Sequence, residues 1–207
     1  MKSAWLDPAE SLGEHIARLQ AVEADTDTVQ TWEPMLIPGL LQGYGYAAAA
    51  IHACSPALPL EVVDERAHAR RQRIDRLGRP GARSITAVVD ESALYRPVGG
   101  YAALVEQLEH LLALAALQPC LELRVLPQGL EAHPGLAGPF TMYRAGRQRA
   151  VLTEALTGST ISTRPEDVAA YSAAWDRLQG LALPARESVE LIDGIRETLC
   201  RRLQKSR

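Results

Sequence analysis

Ile85-Thr86-Ala87-Val88-Val89-Asp90-Glu91-Ser92-Ala93-Leu94-Tyr95-Arg96-Pro97-Val98-Gly99-Gly100 is where the pattern of the chain changes. Residues 85–89 are a short apolar, β-branched run and predict a strand. Gly99-Gly100 predicts a turn, and its simpler role is that turn rather than an anion site at a helix start. Tyr101, Leu104, Leu108, Leu111, Leu112 and Ala115 then fall on one helical stripe. Leu121-Glu122-Leu123-Arg124-Val125-Leu126 alternates as a strand does, and Pro127 stops it. A chain that passes from strand to helix to strand in this way needs both a sheet and helices in one core.

The segment before residue 84 predicts helices. Leu12, Ile16 and Leu19 recur on one face of residues 9–22. Pro34 and Pro38 break the chain into an extended stretch carrying Trp32. A helix restarts near Leu40 and runs through Ala47–Ala50. A second spans 60–77, closed by Gly78, Pro80 and Gly81. After residue 126 comes a Gly- and Pro-rich loop over 127–138. Phe140–Tyr143 and Ala150–Thr153 then read as paired strands with a turn near Gly146, and a further short strand falls near Thr160–Ser162. Thr163 and Glu166 have the spacing of a capping box. The helix after them carries Val168, Tyr171, Trp175 and Leu178 on one face. Pro184 suits the start of a last helix, with Val189, Ile192, Ile195, Leu199 and Leu203 as its apolar side. The predicted architecture is α+β: a small, mainly antiparallel sheet with packed helices and helical N-terminal and C-terminal segments. Residues 1–24 read as a helical extension and 25–207 as one domain.

Composition excludes several chemistries. The 207 residues are 47% hydrophobic and 23% charged, with a net charge of −3. No apolar run approaches the roughly 18 residues of a membrane span, and the N-terminus has no signal-peptide core. A cytoplasmic protein without membrane contact is expected. Cys54, Cys120 and Cys200 are odd in number and far apart, which predicts reduced thiols. Lysine occurs only as Lys2 and Lys205, so Schiff-base catalysis from a buried lysine is not expected. No two histidines stand three or four apart, and no cysteine has a close neighbour, so no metal site is expected. There is no phosphate-binding loop and no nucleophile elbow, and no cofactor is expected. DNA affinity rests on phosphate neutralisation, for which an acidic chain is poorly suited. The arginines between Arg66 and Arg83 are the local exception: they could bind an acidic partner or phosphate, and the favoured reading is a solvated helix face with internal ion pairs.

Five short segments occur in order: Trp32-Glu33-Pro34 with Ile37-Pro38-Gly39-Leu40-Leu41-Gln42; Arg70-Arg71-Gln72; Asp90 to Gly100; and Val125-Leu126-Pro127. Together they resemble the C-terminal domain, DUF5753, of actinobacterial helix-turn-helix regulators of the WhiJ/Scr1 antitoxin-like type. The resemblance runs from about Ala17 to about Ile192. In such regulators a DNA-binding helix-turn-helix precedes this domain, and residues 1–24 are too few for one. The resemblance implies a stand-alone sensor-type module that binds a small molecule, a cognate small protein, or both, without binding DNA itself. A homodimer is compatible with that reading. Trp32, Tyr44 and Tyr46 around Gln42, together with Arg96 and Phe140, are the candidate ligand-binding residues, because such aromatics give apolar walls with a polar handle.

Departures from the family pattern motivate an alternative. The Leu-Leu-Gln segment commonly continues Thr-x-x-Tyr-Ala, but here it continues Gly43-Tyr44-Gly45-Tyr46-Ala47. The tyrosine usual before the late Thr/Glu pair is replaced by Leu152. A sensor pocket changed in this way suits a cofactor-independent biosynthetic enzyme of secondary metabolism: a cyclase, isomerase or lyase. Glu91, His133 and Glu154 are its candidate acid/base groups, one histidine and two carboxylates at strand ends and in a loop. Arg96 would stabilise an anion.

Overall fold

The computed structural model describes residues 26–77, 84–155 and 158–205. The helical extension expected over 1–24 lies outside them. Six strands form a single sheet: β1 (Thr28–Glu33), β2 (Ser84–Asp90), β3 (Leu121–Leu126), β4 (Phe140–Ala145), β5 (Gln148–Ala155) and β6 (Gly158–Ser162), in the spatial order β3-β2-β1-β4-β5-β6. Among the described residues five helices accompany them: α1 (Tyr44–Cys54), α2 (Leu60–Leu77), α3 (Tyr101–Leu117), α4 (Pro165–Leu181) and α5 (Ala185–Lys205). Short 3-10 turns lie at Gly39–Leu41, Glu91–Tyr95 and Pro134–Ala137.

The fold is α+β, as the pattern predicted, and the sheet is mixed. Three pairings are antiparallel: β1 with β4, β4 with β5, and β5 with β6. The other two, β1 with β2 and β2 with β3, are parallel. Close strand spacing late in the chain reveals only the antiparallel half. The parallel half is built from long crossovers, one through α1 and α2 and one through α3. β2 has the mark of a parallel strand covered on both faces, a nearly unbroken apolar run with Ile85, Ala87, Val88 and Val89 all fully buried.

Strand alternation sorts the two faces. Val29, Ile85, Ala87, Val89, Leu123, Val125, Tyr143 and Leu152 join a large core with α1, α3 and α5. Trp32, Val88, Leu126, Phe140, Met142 and Val151 point the other way, against Val168, Trp175 and Leu178 of α4. α1 and α2 share a satellite cluster of Ala47, Ile51, Val63 and Ala67.

Two local expectations change. On α3, Tyr101 is 48% exposed, while Val105 and Gln107 take inward positions. The capping box does not form. Arg164 is the N-cap and Pro165 the first residue of α4. Ser162 Oγ donates to Asp167 Oδ2 at 2.6 Å, and Glu166 pairs with Arg164 instead. Proline at the first helical position needs no donor satisfied, so the chain shifts by one residue.

The free side of β3 is covered at Val125. Ser188 Oγ accepts the Val125 N–H at 2.9 Å, and Leu183 N–H donates to Val125 O at 2.9 Å. The α4–α5 connection thus satisfies part of an edge that otherwise offers itself to another strand.

Candidate functional site

β1 ends at Glu33, where Pro34 cannot continue the ladder. Alternation places Val29, Thr31 and Glu33 on the face that carries α1, α2, α3 and α5. The hydroxyls of Thr31 and Thr141 meet at 2.9 Å across β1 and β4. Trp32 pairs with Phe140, and Thr141 with Leu152. Continued by one residue, the same register sets Glu33 opposite Pro139 and Pro139 opposite Glu154. The two carboxylates therefore finish on one face at one end of the sheet, with two strand spacings, about 10 Å, between their backbones.

A cavity of about 400 Å³ opens over this end of the sheet. Its walls come from Leu36, Ile37, Pro38 and Leu40 of the β1–α1 connection and from Pro139, Phe140 and Leu152 of the sheet. Arg70 and Arg73 of α2 close it from above, with Cys54 and Ser55 beside them. Their spacing of three residues sets both guanidinium groups on one face of α2. A Cβ placed on Gly39 would stand 3.6 Å from Arg73 Nη1 and 3.9 Å from Arg70 Nε, so both groups lie over that turn. The volume is in the range of small-molecule sites, which combine apolar walls with a few convergent polar groups.

The connection that forms the wall is held from two sides. Arg70 Nη1 donates to Gln42 Oε1 at 2.8 Å, and Gln42 Nε2 donates to Ile37 O at 2.8 Å. Ile37 N–H donates to the Tyr46 hydroxyl at 3.3 Å. Gln107 reaches over from α3, donating to Leu41 O at 2.9 Å and accepting from Gly43 N–H at 2.7 Å. Both glutamines are almost fully buried and satisfied. Such networks fix a loop in one conformation.

The electrostatics are unusual at three groups. Burial pushes the Glu33 carboxyl up to about 7; the Met35 N–H opposes this, Glu154 reinforces it, and Arg70 opposes it more weakly. Burial lowers the Arg70 guanidinium, while Glu154 raises it and Arg73 lowers it. Burial raises the Tyr46 phenol. A carboxyl pushed up near neutrality, with a second carboxyl group at the same end of the sheet, is an arrangement able to hold or move a proton.

The predicted residues separate into those at the cavity and those elsewhere. Trp32, Gln42, Phe140 and Glu154 line it, although the Trp32 and Phe140 rings belong to the core on the opposite face. Tyr46 is buried beneath the connection and supports it through Ile37. Tyr44 is exposed; its hydroxyl donates to the Asp64 carboxylate and its ring tilts over His68 at 4.7 Å. Arg96 is exposed and braces the β1–α1 connection from outside through Met35 O at 3.0 Å.

The three acid/base candidates are not brought together. Glu91 Oε2 accepts the Gln128 N–H at 2.9 Å and so fastens the loop after β3. Asp90 caps its own turn through Ser92 N–H at 2.9 Å. His133 packs edge-on against Trp32, with ring centroids 5.9 Å apart. Trp32 faces α4, so His133 is on the opposite side of the sheet from Glu33 and Glu154. Gly43 and Gly45 border a separate recess of about 290 Å³ against α3. Added Cβ atoms there would meet only ordinary contacts, at 3.6 and 3.8 Å, so space does not demand glycine.

Sequence reasoning missed Glu33, Arg70 and Arg73 as site residues. Glu33 stood in a quoted segment, but its partner across the sheet is visible only in the register. The arginines read as a solvated run; of those described, Arg66, Arg70 and Arg73 are half-buried and Arg71 is exposed. Among the described residues no group of three or more His, Cys, Asp or Glu could hold a metal ion. No described helix is long and apolar enough to cross a membrane.

Fold and cavity define an α+β domain with a small-molecule-sized pocket at the end of a mixed sheet. The chain belongs to the family described as a domain of unknown function, DUF5753, which matches residues 16–194. No curated protein matches it.

Proposed function

We propose that this domain is a sensor-type binding module, related to the ligand- or partner-binding half of WhiJ/Scr1-like regulators, and that its ligand sits in the Glu33–Arg70–Glu154 cavity. One observation carries the reading: apolar walls surround a few charged groups, one of which, Arg70, is tied to buried Gln42, while buried Gln107 fixes the connection that forms the wall. A site with walls and polar groups set in advance binds without the cost of ordering them. The test is recovery of a small molecule from an extract of the source organism. The purified chain and a Gly39→Phe variant, which places a ring at the cavity mouth, are incubated and separated from unbound compounds. A compound retained by the parent and lost by the variant is expected. Equal retention by both, or none by either, rejects the cavity as the site.

The second reading, a cofactor-independent proton-transfer enzyme, has one observation in its favour. Glu33, pushed up to about 7, shares its sheet end with Glu154. The pair would replace the dispersed Glu91 and His133 as acid and base. A sensor returns its compound unchanged; an isomer or a dehydrated product in the same experiment favours the enzyme.

A further inference from the structure

Resting on the cavity as a ligand site, we infer that its ligand is a small organic monoanion, a carboxylate on an apolar body. The charged end would meet Arg70, and the body would lie along Leu36, Leu40 and Leu152.

Arg70 carries the argument. A guanidinium has five N–H donors in a planar fork. Among the described residues this one uses a single donor, on Gln42 Oε1 at 2.8 Å, and no carboxylate forms an ion pair with it. Glu154 is near enough to act on it through space but does not pair with it. The group lines the cavity and is half-buried there. A guanidinium partly withdrawn from water, with several donors unused among the described residues, can offer an anion charge-assisted hydrogen bonds. Gln42 is itself held, because its amide is committed to Ile37 O at 2.8 Å.

The charges around Arg70 favour a ligand with one negative charge. Glu154 acts on the guanidinium through space and opposes a second negative charge, and Arg73 flanks it. Glu33, raised by its burial, is part-protonated near neutral pH and withdraws much of the remaining negative charge. That leaves room for a monoanion, whereas a phosphate dianion would meet stronger repulsion from Glu154. The planar fork matches the two oxygens of a carboxylate. The rest of the lining is aliphatic, which suits an apolar body.

Three probes with the same six-carbon body test this: hexanoate, hexylammonium and 1-hexanol. Binding is followed by NMR at the methyls of Leu36, Leu40 and Leu152. Hexanoate is expected to bind about tenfold more tightly than hexylammonium, the scale of one charge-assisted hydrogen-bonded contact. Arg70→Gln is expected to remove that preference while leaving 1-hexanol binding in place, which also checks that the variant is folded. If it does not fold, Arg70→Lys replaces it and is expected to weaken hexanoate about threefold, since the charge stays and the fork is lost. Hexanol binding with no preference for hexanoate, or with a preference for hexylammonium, overturns the anion inference and leaves the cavity reading standing. Failure of all three probes to move those methyls overturns both.

Discussion

Replacing Glu33 by glutamine tests the electrostatics of the cavity without any knowledge of its ligand. The carboxyl titrates at 4.5 in an ordinary setting and at about 7 in the fold. Between those values the folded chain holds a proton that the unfolded chain has released. Stability must therefore fall as pH rises through this window, and the fall is complete above about pH 7. A tenfold change in proton affinity corresponds to about 1.4 kcal/mol, so the full effect is about 3 kcal/mol, and nearer 2 once solvent screening of a half-buried group is counted. Glutamine keeps an oxygen for the Met35 N–H and carries no charge. The variant should match the parent near pH 4 and exceed it by about 2–3 kcal/mol near pH 8. Urea unfolding of both proteins at several pH values measures the difference directly. A difference that stays constant across the range would show that Glu33 is not held near neutrality, and the reasoning from burial and Glu154 would fail.

Removing the neighbours should move the same titration in opposite directions. Glu154→Gln should lower the Glu33 midpoint and Arg70→Gln should raise it, both read from the carboxyl carbon resonance of Glu33. Gly135→Ala would set a methyl 2.7 Å from the buried Trp32 ring, so a loss of roughly 1–3 kcal/mol is expected in urea unfolding. An unchanged midpoint would mean that the loop after β3 yields freely. Ser188→Ala leaves the buried Val125 N–H without its acceptor and should cost roughly 1–3 kcal/mol, with faster hydrogen exchange at that amide.

Most helices and the late hairpin were legible because their signals are local. Residues 60–77 carry a helical pattern bounded by breakers, and the α2 found there has those bounds. The Phe140–Tyr143 and Ala150–Thr153 runs, joined around Gly146, pair as expected; Gly146 has φ +57°, the conformation glycine supplies at a turn. β1 was harder to read. Thr28–Glu33 is six residues long, contains two threonines and a glutamine, and is followed at once by Pro34. The prolines suggested an extended connection, yet this segment is an interior strand of the sheet. Its place follows from neighbours on β2 and β4, which no local pattern encodes. The site shared that fate: Glu33 and Glu154 meet only through pairing across β4, and Arg70 becomes a cavity residue only when α2 lies over Gly39. Glu91 and His133 were named from a position at a strand end or in a loop, which says nothing about which side of the sheet a residue occupies.

The place of β1 between the parallel and antiparallel halves has a consequence for how the chain is made. β1 leaves the ribosome first among the described strands, but its two neighbours arrive far apart in time. Val29 pairs with Ile85, 56 positions on (85 minus 29), and Trp32 with Phe140, 108 positions on (140 minus 32). At translation rates of about 5–20 residues per second, β1 has one side unpaired for several seconds after β2 has emerged. The segment Thr28–Glu33 is then a bare template for any passing strand. Nascent chains arrested before Pro139 are expected to be held by chaperones or to aggregate, and chains extended past β5 to be released from both fates.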